Sequence, residues 1–229
     1  MTAPGAPDGS FRAVVKVGGS LAADPRTVRE LVAALAALAT RVALLVVPGG
    51  GPFADAVREA DGRHGLGEVA AHRMALLAMD QYGLLLADRA AGAVAVPSVG
   101  DARAAAAAGR LPVLLPSAVL WGVDPLENSW RVTSDSLAAW LAGATGTPAL
   151  VLVKSTDGPG AAMSAGEAAR RGLVDPALPV VLPPHVEAWL VNGRRPREVI
   201  ALLEGGGGAG TRLVKDGAAR DPVDARRMG

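Results

Sequence analysis

Short runs of branched apolar residues alternate along the chain with longer Ala/Leu stretches punctuated by charge. A strand-length run followed by a helical stretch, repeated, is the pattern of a mainly parallel sheet covered by helices. Residues 11–17 predict the first strand, closed by the turn Gly18-Gly19-Ser20. Asp24-Pro25 then supplies an N-cap and a first-turn proline for a helix to about Ala39. Residues 41–47 are apolar nearly throughout, which predicts a second strand buried on both faces. Pro48-Gly49-Gly50-Gly51 breaks it, and Pro52 opens a helix to about Glu59. A long helix is predicted over 68–90. Strands at 93–96 and 112–115 flank a helical run at 101–108. Thr133-Ser134-Asp135 precedes a helix ending near Gly143. Residues 149–153 predict a buried strand, 186–191 another, 197–204 a helix and 211–214 a last strand. The expected fold class is α/β, a three-layer α/β/α sandwich around a central, mainly parallel sheet. One domain is expected over 11–214, with an N-terminal lobe at about 11–120 and a C-terminal lobe at about 121–214. Flexible segments are expected at 1–10 and 215–229.

Composition narrows the function. The 229 residues are 50% hydrophobic but only 3% aromatic, so Ala, Val and Leu must fill the core. A formal net charge of +1 carries no electrostatic footprint for nucleic acid. Cysteine is absent, which excludes disulfides, thiolate metal sites and cysteine nucleophiles and fits a reducing, cytoplasmic setting. The most apolar run, 42–47, is far shorter than the roughly 20 residues of a membrane-spanning helix. The first ten residues lack the basic start and apolar centre of a signal peptide.

Two strands end in glycine-rich turns that lead toward helices. Such turns aim backbone N–H groups and a positive helix end at one place, which suits a phosphate chain. Glycine is needed because the backbone must approach the oxyanions closely. No G-x-x-x-x-G-K-[ST] occurs, so the chain is not a P-loop enzyme. Gly205, Gly207 and Gly210 match G-x-G-x-x-G literally, but they follow a helix and precede none, so the match is read as a connection.

The chain resembles the amino acid kinase superfamily. The resemblance rests on VVKVGGSL at 14–21, VVPGGG at 46–51, VTSDSLAAWLA at 132–142, VLVKSTDG at 151–158, and Asn192-Gly193 with Gly210-Thr211. Within it, residues 71–89 and 130–142 look most similar to the aminomethylfuran methyl phosphate kinases of methanofuran-type cofactor biosynthesis. The resemblance implies an ATP-dependent phosphotransferase with ATP and Mg²⁺ as cofactors, a small-molecule phosphate acceptor bound by the N-terminal lobe, a nucleotide bound by the C-terminal lobe, and a homo-oligomer, dimer or higher. Alternatives within the resemblance are a kinase of a nucleoside monophosphate, isopentenyl phosphate or a carboxylate, and a non-catalytic nucleotide- or oxyanion-binding storage protein.

Lys16, on the strand entering the first turn, would neutralise charge on the transferring phosphoryl group. Gly18, Gly19 and Ser20 would bind ATP phosphates, while Gly49, Gly50 and Gly51 would face the acceptor and the transferring group. The resemblance implies that Asp135 organises the active-site lysines, and that Lys154, Asp157 and Gly158 line the nucleotide site. A second transfer lysine in the M-x-x-K context of acetylglutamate-type enzymes is absent. Lys154 matches the uridylate-type placement instead, with Arg194, Arg195 and Arg212 as possible substitutes. Thr133 and Ser134 are candidate caps of the helix that follows. His72 is the tentative counterpart of an acceptor-phosphate histidine, or a core-edge histidine. Asp80 could bind an acceptor ammonium, cap a loop or make a subunit salt bridge. His64 and His185 are too scattered for a protein metal site, so Mg²⁺ is expected to arrive with ATP.

Overall fold

The computed structural model describes residues 10–121, 126, 129–206 and 210–216. The expected flexible segments fall mostly outside these residues, as does Gly207. Lys215 and Asp216, at the start of the expected tail, are engaged: Lys215 Nζ donates to Leu182 O at 3.3 Å and Asp216 accepts from Gly166 N at 2.7 Å.

Eight strands form one sheet in the order β3-β4-β2-β1-β5-β7-β8-β6. They are β1 (Ala13–Val17), β2 (Leu44–Pro48), β3 (Ala93–Val96), β4 (Leu111–Leu114), β5 (Ala149–Lys154), β6 (Ala162–Ser164), β7 (Glu187–Asn192) and β8 (Thr211–Val214). All pairings are parallel except β7 with β8. The helices are α1 (Pro25–Ala39), α2 (Gly51–His64), α3 (Glu68–Ala87), α4 (Val99–Ala107), α5 (Pro116–Leu120), α6 (Ser134–Ala144), α7 (Ala165–Arg170), α8 (Leu178–Val181) and α9 (Pro196–Leu203). The sandwich read from the sequence is therefore present. Pattern reading missed β6, α5, α7 and α8, which are three to six residues long and too short to show a period. The first glycine turn also runs directly into a 3₁₀ helix at Gly19–Ala23.

Alternation along the central strands sorts side chains between two cores. Ala13, Val15 and Val17 of β1, with Val151 and Val153 of β5, pack beneath α1 and α9. Val14, Leu150 and Leu152 face the opposite way, onto Leu137, Ala138 and Leu141 of α6. Lys16 and Lys154 share the parity of this second set, so both must emerge on the α6 side. α1 begins as the sequence predicts: the Asp24 carboxylate accepts from Arg26 N at 3.0 Å and Thr27 N at 3.2 Å, with Pro25 at the first position.

Candidate active site

Parallel neighbours β2, β1, β5 and β7 all end at one edge of the sheet, where the loops of an open α/β fold gather ligands. There Lys16 Nζ lies 2.8 Å from Asp135 Oδ1, and Lys154 Nζ lies 2.6 Å from Asp135 Oδ2. Lys16 is 4% exposed and Asp135 3%. One carboxylate thus holds two ammonium groups from adjacent strands. The Lys154 contact is a hydrogen bond, whereas the Lys16 contact is an ion pair without that alignment.

Burial alone would raise the Asp135 pKa, but the two lysines outweigh it and hold the carboxyl at about 2. Lys154 shows the opposite balance. Burial and the Lys16 charge lower its pKa to about 8, against the pull of Asp135 and Asp175. At the cavity wall two ammonium groups share the one Asp135 carboxylate, and Asp175 is the further negative charge acting on Lys154.

The two glycine turns touch one another beside this cluster. A Cβ on Gly19 would stand 2.3 Å from Gly51 N, one on Gly49 would stand 2.7 Å from Gly19 N, and one on Gly18 would stand 2.8 Å from Val153 O. Gly51 has φ +55°, a left-handed conformation that side chains disfavour. Tyr82, fully buried on α3, donates its hydroxyl to Gly18 O at 3.4 Å. Ser20 Oγ meets Ser155 Oγ at 2.9 Å, linking the first turn to the end of β5. A cradle that Cβ atoms would fill, beside two ammonium groups, fits a polyphosphate.

A cavity of about 320 Å³ opens on this arrangement and brings together Lys16, Gly19, Ser20, Gly50, Gly51, Asp135 and Lys154. His72 also lines it, as do Arg58 and Trp130, which sequence reading did not single out. The Arg58 guanidinium stacks 5.0 Å above the Trp130 ring and pairs with Asp55 at 2.8 Å. A smaller cavity of about 110 Å³ shares His72, Ala75, Trp130 and Val132 with the first and reaches Asp61 and Glu68.

Asp157 and Gly158 lie elsewhere, in a cavity of about 600 Å³ bounded by β7 and the start of β8. Asp157 is paired there with Arg195 and accepts from Asn192 Nδ2 at 3.2 Å. Asp80 does not line the lysine cavity. It accepts from Ser117 N at 3.0 Å and from the Ser117 hydroxyl, at the start of α5. The second cation beside Asp135 is Lys154, while Arg195 and Arg212 pair with Glu198 and Glu187 away from the cavity.

The Amino acid kinase family model matches residues 11–158, a span that holds both glycine turns, Lys16, Asp135 and Lys154. The chain belongs to the amino acid kinase family. It is a small-molecule kinase of that family, an ATP-dependent phosphotransferase. It is 29% identical over 212 residues to the [5-(aminomethyl)furan-3-yl]methyl phosphate kinase of Methanocaldococcus jannaschii, covering 88% of this chain and 97% of that one. Solved structures of amino acid kinase architecture superpose on it. The uridylate kinase of Archaeoglobus fulgidus does so with a TM-score of 0.70 at 18% identity, over 89% of this chain and all of that one. The UMP kinase of Ureaplasma parvum gives 0.65 at 17% identity, over 90% and 100%. At such identities the likeness is one of fold.

Proposed function

We propose that this kinase transfers the γ-phosphoryl group of ATP to the phosphate of an aminomethylfuran methyl phosphate, giving a diphosphate for methanofuran-type one-carbon cofactor biosynthesis. The observation that carries the kinase chemistry is the pair Lys16 and Lys154 held on buried Asp135 between two glycine turns. An acceptor phosphate oxygen attacks the γ-phosphorus, the bond to the β,γ-bridging oxygen breaks, and ADP leaves. Lys16 and Lys154 neutralise the equatorial and leaving oxygens, and glycine amides position them, which is most of what phosphoryl transfer asks of a protein. Asp135 keeps two like charges side by side without their repulsion displacing either.

The choice of acceptor is supported by the identity to the Methanocaldococcus enzyme over nearly the whole chain. It is supported also by the polarity of the joined cavities. Lys16, Lys154 and Arg58 line the larger one, while Asp61 and Glu68 line the smaller. A molecule with a phosphate at one end and an ammonium at the other suits that gradient. In this reading Asp61 and Glu68, rather than Asp80, face the amine. We assign the nucleoside of ATP to the 600 Å³ cavity beside Asp157 and Gly158. The described residues contain no group of three or more His, Asp or Glu side chains able to hold a metal. Mg²⁺ is therefore proposed to enter on the nucleotide and to neutralise phosphate charge there. The described residues also contain no helix long and apolar enough to cross a membrane.

The test is ADP release with Mg-ATP and a panel of aminomethylfuran methyl phosphate, uridylate, isopentenyl phosphate and acetylglutamate. Turnover selective for the furan phosphate, and abolished in Lys16→Ala, is expected. Turnover of another member would replace the acceptor. Tight ATP binding without any turnover would point to a nucleotide-binding or storage protein.

A further inference from the structure

Asp175 lies between α7 and α8, 40 residues from Asp135 in sequence, and is 6% exposed. A buried carboxylate with no partner would be costly, yet this one is enclosed by donors. Its Oδ2 accepts from Thr133 N at 2.9 Å, Thr133 Oγ1 at 2.9 Å and Ser136 N at 3.0 Å. Its Oδ1 accepts from Leu178 N at 3.0 Å and from the Ser136 hydroxyl. Thr133 and Ser136 bracket the first turn of α6, the turn that carries Asp135. Thr133, at the N-cap position, does not cap this helix with its own side chain. Asp175 performs the capping from outside the helix, and its own N–H donates to Asp135 Oδ2 at 3.3 Å.

We infer that Asp175 is a positioning residue for phosphoryl transfer: it locks the first turn of α6 so that Asp135 holds both lysines, and it adds a second negative charge behind Lys154. This inference rests on the kinase reading of the Lys16–Asp135–Lys154 cluster but not on any particular acceptor. The geometry makes it specific. The Asp135 carboxylate must sit midway between two strands, and a helix start that turned by a fraction of an ångström would favour one lysine over the other. Asp175 grips that turn through two backbone N–H groups and two hydroxyls, then touches the Asp135 carboxylate itself. The charged groups acting on Lys154 are Lys16, Asp135 and Asp175. Lys16 disfavours its protonated state and the two carboxylates favour it.

Asp175→Asn removes the charge and half of the grip, because its amide oxygen can still accept from Thr133 and Ser136 N while its NH2 cannot accept from Leu178 N or the Ser136 hydroxyl. Steady-state kinetics are measured with Mg-ATP and whichever acceptor of the panel is turned over. The limb of kcat/KM for ATP on the alkaline side reports the free enzyme. In wild type it should fall near pH 8 as Lys154 loses its proton, and Lys154→Arg should abolish it, which identifies the group. Asp175→Asn is expected to lower kcat by about tenfold with both KM values within about twofold, since alignment is lost and ground-state contacts are kept. It should also move the alkaline limb to lower pH. An unchanged kcat and limb accompanied only by a lower melting temperature would overturn the inference and leave Asp175 a structural cap. Asp175→Glu keeps the charge and displaces it, so kcat should fall with the limb unmoved. Wild-type kcat in that variant would overturn the positioning role even if the asparagine variant does not fold. If no acceptor turns over in wild type, the kinase reading itself fails, and that outcome is distinct from either of these.

Discussion

Asp135 holds two lysine ammonium groups in the core. Two ammonium groups share one buried carboxylate, and removing the carboxylate leaves both uncompensated. Asp135→Asn is therefore expected to destabilise the protein by about 3–5 kcal/mol, the range for breaking a buried ion pair from one side, measurable by urea denaturation at pH 7. Lys154→Met works in the other direction. It removes a buried cation whose desolvation already depresses its pKa to about 8, and leaves Lys16 paired with Asp135. The ligand-free variant should melt above wild type while losing transfer, as expected of residues kept for function. The pH dependence follows the same logic. The two lysines hold the Asp135 carboxyl at about 2 in the folded protein, below the 3.8 of a free aspartate. Its contribution of about 2 kcal/mol is present above about pH 4 and lost as pH falls toward 2. In Asp135→Asn that acid-labile part of the stability curve should be missing.

Among the elements, the glycine turns and the helix starts are the joints that place these residues. Gly19→Ala puts a methyl group 2.3 Å from Gly51 N, against backbone that cannot rotate away as a side chain could. The two turns must separate, and a displacement approaching 1 Å at the reacting groups costs on the order of a hundredfold in rate. Kinetics of that variant should show the loss in kcat, with secondary structure by circular dichroism unchanged. Asp24→Ala tests a cap with no link to the site. It should cost about 1 kcal/mol of stability and leave kcat as in wild type. These two starts also mark how far element-level reading reached. Asp24-Pro25 announces its helix because cap and proline are adjacent in the chain. The start of α6 holds Thr133 and Ser134, both good cap residues by type, yet the capping carboxylate comes from Asp175. No local pattern contains a partner that distant.

At the scale of the whole molecule, one sheet edge joins a 320 Å³ cavity lined by the lysines and a 600 Å³ cavity lined by β7 and β8. A nucleotide reaching both would stabilise the fold by mass action. Mg-ATP at a hundred times its dissociation constant adds about 2.7 kcal/mol, or roughly 5–11 °C in melting temperature for a domain of this size. Differential scanning fluorimetry should show this shift in wild type and a smaller one in Lys154→Met. The sequence alone determined the α/β class, the order of the main strands and helices, and the residues Lys16, Asp135 and Lys154 with both glycine turns. It could do so because strand and helix periods are local, and because glycine and lysine at a strand end carry their chemistry in their type. Only the tertiary structure decided that Asp80 turns to Ser117, that Arg58, Trp130 and Asp61 line the cavities beside the lysines, and that Asp175 caps α6. Those are pairings between groups far apart in the chain, set by the parity of the strands and the packing of helices over them, and a side chain's partner across such a gap is decided by which faces meet when the layers close.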